Sequence, residues 1–119
     1  LVHAPIFAPA VVPVYRGMLV EVPLGFDTPT ADAVFDALAV HFDGSALVSV
    51  RRAGDESELL LRKSDEATDR MELMLYASPD ATQLRLVARL DNLGKGASGA
   101  CVQNLNILAG LPETTGLRL

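Results

Sequence analysis

The chain has one cysteine, Cys101, two histidines and no tryptophan in 119 residues. A lone thiol excludes an internal disulfide and a thiol-rich metal cage, so nothing calls for an oxidising compartment and a reducing cytoplasm fits. His3 and His41 stand far apart in sequence and form no ligand spacing, so no metal is expected. Positive charge is the scarcer sign: 10 Lys and Arg stand against 15 Asp and Glu, for a net charge of -5. Such a chain repels a phosphate backbone, which argues against a nucleic-acid partner. No uninterrupted apolar run approaches the roughly 18 to 20 residues that span a bilayer. Residues 1–15 contain prolines at 5, 9 and 13 and no basic segment leading into an apolar stretch, so they do not read as a secretory signal. The expectation is a soluble cytoplasmic protein with no membrane partner.

What the chain does have is apolar content. Hydrophobic residues make up 50% of it, enough for one core without disulfide or metal staples. Residues 1–119 therefore read as a single domain. The chain opens on Leu1, without methionine and already apolar, as expected of a piece of a longer polypeptide.

Prolines make residues 1–13 an extended entry segment or edge strand. From Val14 to Leu24, Met18, Val20 and Val22 alternate with Leu19, Glu21 and Pro23, the period of a half-buried strand. Thr28 and Pro29 form a cap and first-turn pair for a helix carrying Val34, Phe35, Leu38 and Phe42 on one side and stopping at Gly44. Ala46 to Arg52 reads as a second strand, and Leu59 to Leu61 as a short third strand or a loop. The charged stretch Arg62 to Arg70, with Lys63, Asp65, Glu66 and Asp69, reads as a solvated connection, and Asp55 and Glu56 as solvent-facing loop carboxylates. Met71 to Ala77 and Gln83 to Leu90 flank a turn-rich pentapeptide, which predicts a hairpin. On its second strand Leu84, Leu86, Ala88 and Leu90 face a core while Arg85 and Arg89 face water. On its first strand Met71, Leu73, Leu75 and Ala77 oppose Met74 and Tyr76. Both faces are thus apolar, and the uncovered one is expected to be a homo-oligomer interface. Lys95 to Ala109 reads as a helix with Ala97, Cys101, Leu105 and Leu108 on a buried stripe, closed by Gly110 and Pro112. Together these elements predict an α+β fold, an antiparallel or mixed sheet with helices on one face.

The segment Gly94 to Gly99 matches G-x-G-x-x-G between a predicted strand and a predicted helix. A dinucleotide fold needs a further parallel strand and an acidic residue about 20 positions on, and neither fits before Leu119. Three glycines in the first turns of a helix still cost on the order of 1 kcal/mol each against alanine. Close approach of another backbone, a helix or a ligand would justify them. Cys101 lies on the apolar stripe with no histidine nearby, and reads as a small buried hydrophobe with no catalytic role.

The run from Leu90 to Asn106, LDNLGKGASGACVQNLN, resembles the C-terminal motif of N-acetyl-gamma-glutamyl-phosphate reductases, D-N-L-x-K-G-A-x-G-x-x-x-Q-N-x-N. Gly110-Leu111-Pro112-Glu113 and Gly116-Leu117 continue the likeness. Phe7 to Val11 and Gly17 to Leu24 resemble the entry to the second domain in the family's short form. The likeness is weakest over residues 44–70.

That resemblance implies an enzyme of arginine biosynthesis in which a cysteine thiolate attacks an acyl phosphate and NADPH reduces the thioester to N-acetylglutamate semialdehyde. It implies an N-terminal dinucleotide-binding domain followed by an α+β substrate and dimerisation domain, and only the second is matched by this chain. The nucleotide loop and the N-P-G-C-Y-like nucleophile segment have no counterpart here, and His3-Ala4-Pro5-Ile6 lacks the acid of the family's H-x-P-E. No catalytic residue is therefore expected in the chain, and the fragment is expected to be inactive. Ala10 stands where long-form members have histidine, and Ala67-Thr68-Asp69 stands where G-[ST]-N is expected. By the resemblance Asn92 borders the nicotinamide of NADP, with Gly94 and Lys95 along the same edge; the alternative is that Asn92 caps the helix. The rival functions are a non-catalytic dimerisation module of the same fold and the equivalent domain of another semialdehyde dehydrogenase, such as the aspartate enzyme.

Overall fold

In the computed structural model, residues 7–25, 29–54, 58–61 and 66–119 are described. His3, Thr28, Asp55, Glu56, Lys63 and Asp65 lie outside them. The elements run β1 (Met18–Leu24), α1 (Ala31–His41), β2 (Val48–Arg52), β3 (Met71–Ala77), β4 (Leu84–Leu90), a π-helical turn (Gly94–Ser98) and α2 (Gly99–Leu108). The strands form one mixed sheet in the order β1-β4-β3-β2, antiparallel except for the β2–β3 pair. This is the α+β class that the sequence predicts. Among the described residues no helix is long and apolar enough to cross a membrane.

Strand β1 begins later than the alternation suggested. Gly17 has φ +106°, and this left-handed residue breaks the extended run from Val14. Thr30, not Thr28, is the N-cap of α1, its hydroxyl accepting from the Ala33 amide at 3.3 Å. The strand expected from Ala46 starts at Val48, because the Ser45 hydroxyl accepts from the amides of Leu47 and Val48 and holds that corner as a turn. Residues 59–61 form no strand. The hairpin forms as predicted, with Asp80 accepting from the Ser78 hydroxyl and from the amide and hydroxyl of Thr82. Those bonds, the Ser78 one foremost, hold its carboxyl below the usual aspartate range.

Register sorts the side chains into two faces, since directly paired residues point the same way. Val22, Leu86, Leu75 and Arg52 lie in one row, and Met18, Leu90, Met71 and Val48 in another row of the same face. Helix α1 packs here: the Arg52 guanidinium lies 4.2 Å from the Phe35 ring centroid and 2.8 Å from Asp32. The π-turn reaches this face too, for a methyl group placed on Gly96 would lie 3.1 Å from Leu90 Cδ1. Helix α1 and the π-turn thus lie on one face, as expected, and α2 continues from the π-turn toward the tail.

The opposite face carries Leu19, Glu21, Arg85, Val87, Arg89, Glu72, Met74, Tyr76, Ser49 and Arg51. It is not the uncovered apolar surface that the sequence predicts. Met74 and Val87 at its centre are both 0% exposed. Arg51 Nη2 lies 3.0 Å from Met74 Sδ while its Nε bonds Glu72 at 2.7 Å, and Arg85 reaches Glu21 at 3.4 Å and stacks over Tyr76. Long charged side chains thus roof the apolar pair with their methylene stems. The exposed apolar surface is elsewhere, on Val20 and Val22 of edge strand β1 and on α2.

Candidate functional site

The junction between β4 and α2 collects the motif residues. Asp91 directly follows the strand and is 3% exposed. Its Oδ2 accepts from Arg16 Nη1 at 2.8 Å and from the Thr68 amide at 3.3 Å, and its Oδ1 accepts from the Leu93 amide at 2.8 Å. Burial raises its pKa. The Leu93 amide, the Arg16 guanidinium and the amides of Gly94 and Thr68 together outweigh burial and hold the carboxyl below the ordinary aspartate range. At neutral pH a carboxylate therefore ties together the start of β1, the approach to β3 and the end of β4.

Asn92 works beside it. Its Oδ1 accepts from the Gly17 amide at 2.9 Å, while its Nδ2 has no partner among the described residues. It does not cap the helix: the π-turn begins after Leu93 without a side-chain cap, and Asp91 takes the Leu93 amide. Gly94 is buried, and a Cβ on it would collide with the Thr68 carbonyl oxygen and meet Asp69 Oδ1 at 2.9 Å. A Cβ on Gly99 would collide with the Asp69 carboxylate. Close approach of another segment is thus what these two glycines permit. Lys95 Nζ donates to Gln103 Oε1, one stretch of motif bonding to another.

The rest of the motif holds the tail. Gln103 Nε2 donates to Glu113 Oε2 at 3.0 Å, and the buried Asn106 donates through Nδ2 to the carbonyls of Glu113 at 3.1 Å and Thr115 at 2.8 Å. Asp69 is bonded twice to this tail: its backbone amide donates to the Arg118 carbonyl at 2.8 Å, and its side-chain Oδ2 accepts from the Arg118 amide at 2.8 Å.

Two expectations are corrected here. Asp69 is not part of a solvated connection but 7% exposed, because the glycines of the junction let the helix start close over it; Glu66 in the same stretch is exposed. Cys101 is exposed, not a buried hydrophobe, and Leu105 and Leu108 of its stripe are 64% and 86% exposed. Periodicity marked an apolar helix correctly, but the side that faces this chain is the polar one of Gly99, Gln103 and Asn106, drawn in by the tail.

Sequence reasoning missed Asp91, Asp69 and Arg16. Asp91 had a signal, standing inside the motif next to Asn92, whereas Asp69 acquires its role only from partners far along the chain. Beside the junction lies a cavity of about 360 Å³, lined by Arg16, Gly17, Thr68, Arg70, Arg89 and Asp91 among others.

Comparison with known proteins places this geometry in context. The family described as "Semialdehyde dehydrogenase, dimerisation domain" matches residues 2–92. The N-acetyl-gamma-glutamyl-phosphate reductase of Trichormus variabilis is 41% identical over 126 aligned positions, covering 98% of this chain and 39% of the relative. The protein of that name from Rhizobium johnstonii is 44% identical over 113 positions, covering 89% of this chain and 36% of the relative. This chain thus spans rather more than a third of the length of these relatives. The matched span contains the whole sheet and ends on Asn92, where β1 and β4 are joined, and on that match the chain belongs to the semialdehyde dehydrogenase dimerisation-domain family.

Proposed function

We propose that this chain is the C-terminal substrate and dimerisation portion of an NADP-dependent reductase that converts N-acetyl-gamma-glutamyl phosphate to N-acetylglutamate semialdehyde. The observation that carries the reading is identity of 41% to 44%, over nearly the whole chain, with relatives named for that activity. The nucleotide is held mainly by a preceding dinucleotide-binding domain, which also supplies the thiolate nucleophile. Bound NADPH supplies the hydride. In this chain Asn92 fits a nicotinamide carboxamide in one respect: its Nδ2 is an uncommitted donor, while its Oδ1 is held by Gly17 and fixes the direction of the amide. Gly94 and Lys95 lie along the same edge, Gly94 by permitting the close approach of Thr68 and Lys95 by bracing the helix start through Gln103.

The longer polypeptide containing this segment should reduce the acyl phosphate with NADPH, and the 119-residue chain alone should not. Turnover by the chain alone, abolished by Cys101→Ser, would overturn the division of labour; no turnover by the longer polypeptide would leave a non-catalytic dimerisation module. The family description supports a homodimer, with the exposed Val20 and Val22 along β1 contributing apolar surface. Sedimentation equilibrium of the chain should give twice its mass, and a strict monomer would count against this assembly.

A further inference from the structure

We propose that the free edge of β1 pairs antiparallel with the same edge of a second copy, Leu19 opposite the partner's Glu21, so that two four-stranded sheets run on as one. The inference rests on the homodimer proposed above and states which edge makes it, and in what register. Hydrogen-bond direction decides what that edge offers. The Met71 amide donates to the Leu47 carbonyl at 2.8 Å and the Ala53 amide to the Leu75 carbonyl at 3.0 Å, so the odd-numbered residues of β3 bond β2. Its even-numbered residues therefore bond β4, in step with the Ser78 amide donating to the Gln83 carbonyl at 2.9 Å. By the same alternation Leu84, Leu86, Ala88 and Leu90 bond β1, which occupies the main-chain groups of Met18, Val20, Val22 and Leu24. Those of Leu19, Glu21 and Pro23 point outward from the sheet and take no hydrogen bond among the described residues. Such an edge is a template for another strand. Pro23 has no N–H, so its donors are the amides of Leu19 and Glu21.

The register follows from those groups. Leu19 opposite the partner's Glu21 satisfies both outward amides of both copies and asks nothing of Pro23. A slip that sets Glu21 opposite the partner's Glu21 opposes like charges and pairs Leu19 with a proline that cannot donate. In the favoured register Val20 meets the partner's Val20 on the two-fold axis, and Met18 meets the partner's Val22. Val20 and Val22 are 43% and 45% exposed in the single chain, and these cross-strand contacts cover them. The family match also singles out this edge. Residues 2–92 contain all of β1 and none of α2, so the exposed Leu105 and Leu108 lie outside the segment whose description names dimerisation.

The test places Val20→Cys in a Cys101→Ser chain. Residues opposed in a non-hydrogen-bonded pair have Cα atoms about 4.5 Å apart, within the span of a disulfide. Under mild oxidation most of this variant should run at twice its mass on a non-reducing gel. Val22→Cys in the same background is set about 13 Å from its own counterpart and should stay single. Glu21→Pro removes one outward amide from each copy and leaves the β4 ladder intact, so in sedimentation equilibrium it should weaken the dimer by about tenfold or more, the effect of two lost main-chain hydrogen bonds. Glu21→Gln keeps the amide and should dimerise at least as well as the parent. A sedimenting dimer whose Val20→Cys form does not cross-link, or whose folded Glu21→Pro form keeps the parental affinity, overturns pairing through β1 and leaves the homodimer standing. A strict monomer overturns both. Val20 is exposed, so the cross-linking result stands even where Glu21→Pro fails to fold.

Discussion

Asp91 offers the sharpest test of the junction, because the structure gives its carboxylate four partners and almost no water. Replacing it by alanine leaves the Arg16 guanidinium, 27% exposed, without its counter-charge and strands the amides of Thr68, Leu93 and Gly94. Removing one member of a buried pair costs about 3–5 kcal/mol. Partial access of water to Arg16 lowers this to about 2–4 kcal/mol, a large fraction of the roughly 5–15 kcal/mol that holds an ordinary domain together. Asn is the more telling replacement, since it keeps the shape and one acceptor while losing the charge and turning an NH2 group toward donors. Its expected cost is somewhat smaller, about 1–3 kcal/mol. The sign with pH follows from a carboxyl whose pKa is lower folded than unfolded. Its contribution is complete above the unfolded value of about 3.9 and is lost as pH falls through the lower folded value. Urea titrations at neutral pH and at a series of acid pH values should therefore show a lower midpoint for Asp91→Asn at pH 7, and a gap from the parent that narrows below about pH 4. Equal midpoints at neutral pH, or a gap that stays constant into acid, would refute the claim that a charged Asp91 holds the junction.

Gly99→Ala should destabilise the chain by about 1–3 kcal/mol, because the new methyl group meets the Asp69 carboxylate. Combining it with Asp69→Ala should give less than the sum of the two single losses in a double-mutant cycle, whereas strict additivity would show that the two positions do not touch. In the longer enzyme, Asn92→Ala should cost about 1–3 kcal/mol in kcat/KM with NADPH. Asn92→Asp keeps the acceptor for Gly17 and should hold near-normal thermal stability while raising KM for NADPH or lowering kcat. Parental kinetics in a well-folded Asn92→Asp enzyme would leave Asn92 as a residue that only joins β1 to β4.

Much of the architecture was legible in one dimension because it is decided by neighbours along the chain. The period of two in Leu84, Leu86, Ala88 and Leu90 specifies a strand with one apolar face, and the turn residues between Ala77 and Leu84 allow the two strands to pair only as a hairpin. The glycines at 94, 96 and 99 announced a close approach, and the run from Leu90 to Asn106 announced the family. What approaches those glycines was not legible. Thr68 and Asp69 arrive from a distant loop, and only the folded chain sets the Asp69 carboxylate over the helix start.

The same limit explains the errors. An apolar stripe states that a helix has a side that avoids water, but not which body covers it, so Cys101, Leu105 and Leu108 read as core and stand exposed while the tail draws in Gln103 and Asn106. Likewise Met74 looked like uncovered surface, because its cover comes from Arg51 on another strand. Local propensity and periodicity follow from covalent geometry and from each residue's own chemistry, and sequence alone determines them here. Ion pairs, buried carboxylates and the choice of buried face depend on contacts between residues far apart in sequence, as with Arg16 and Asp91, and tertiary structure alone decided those.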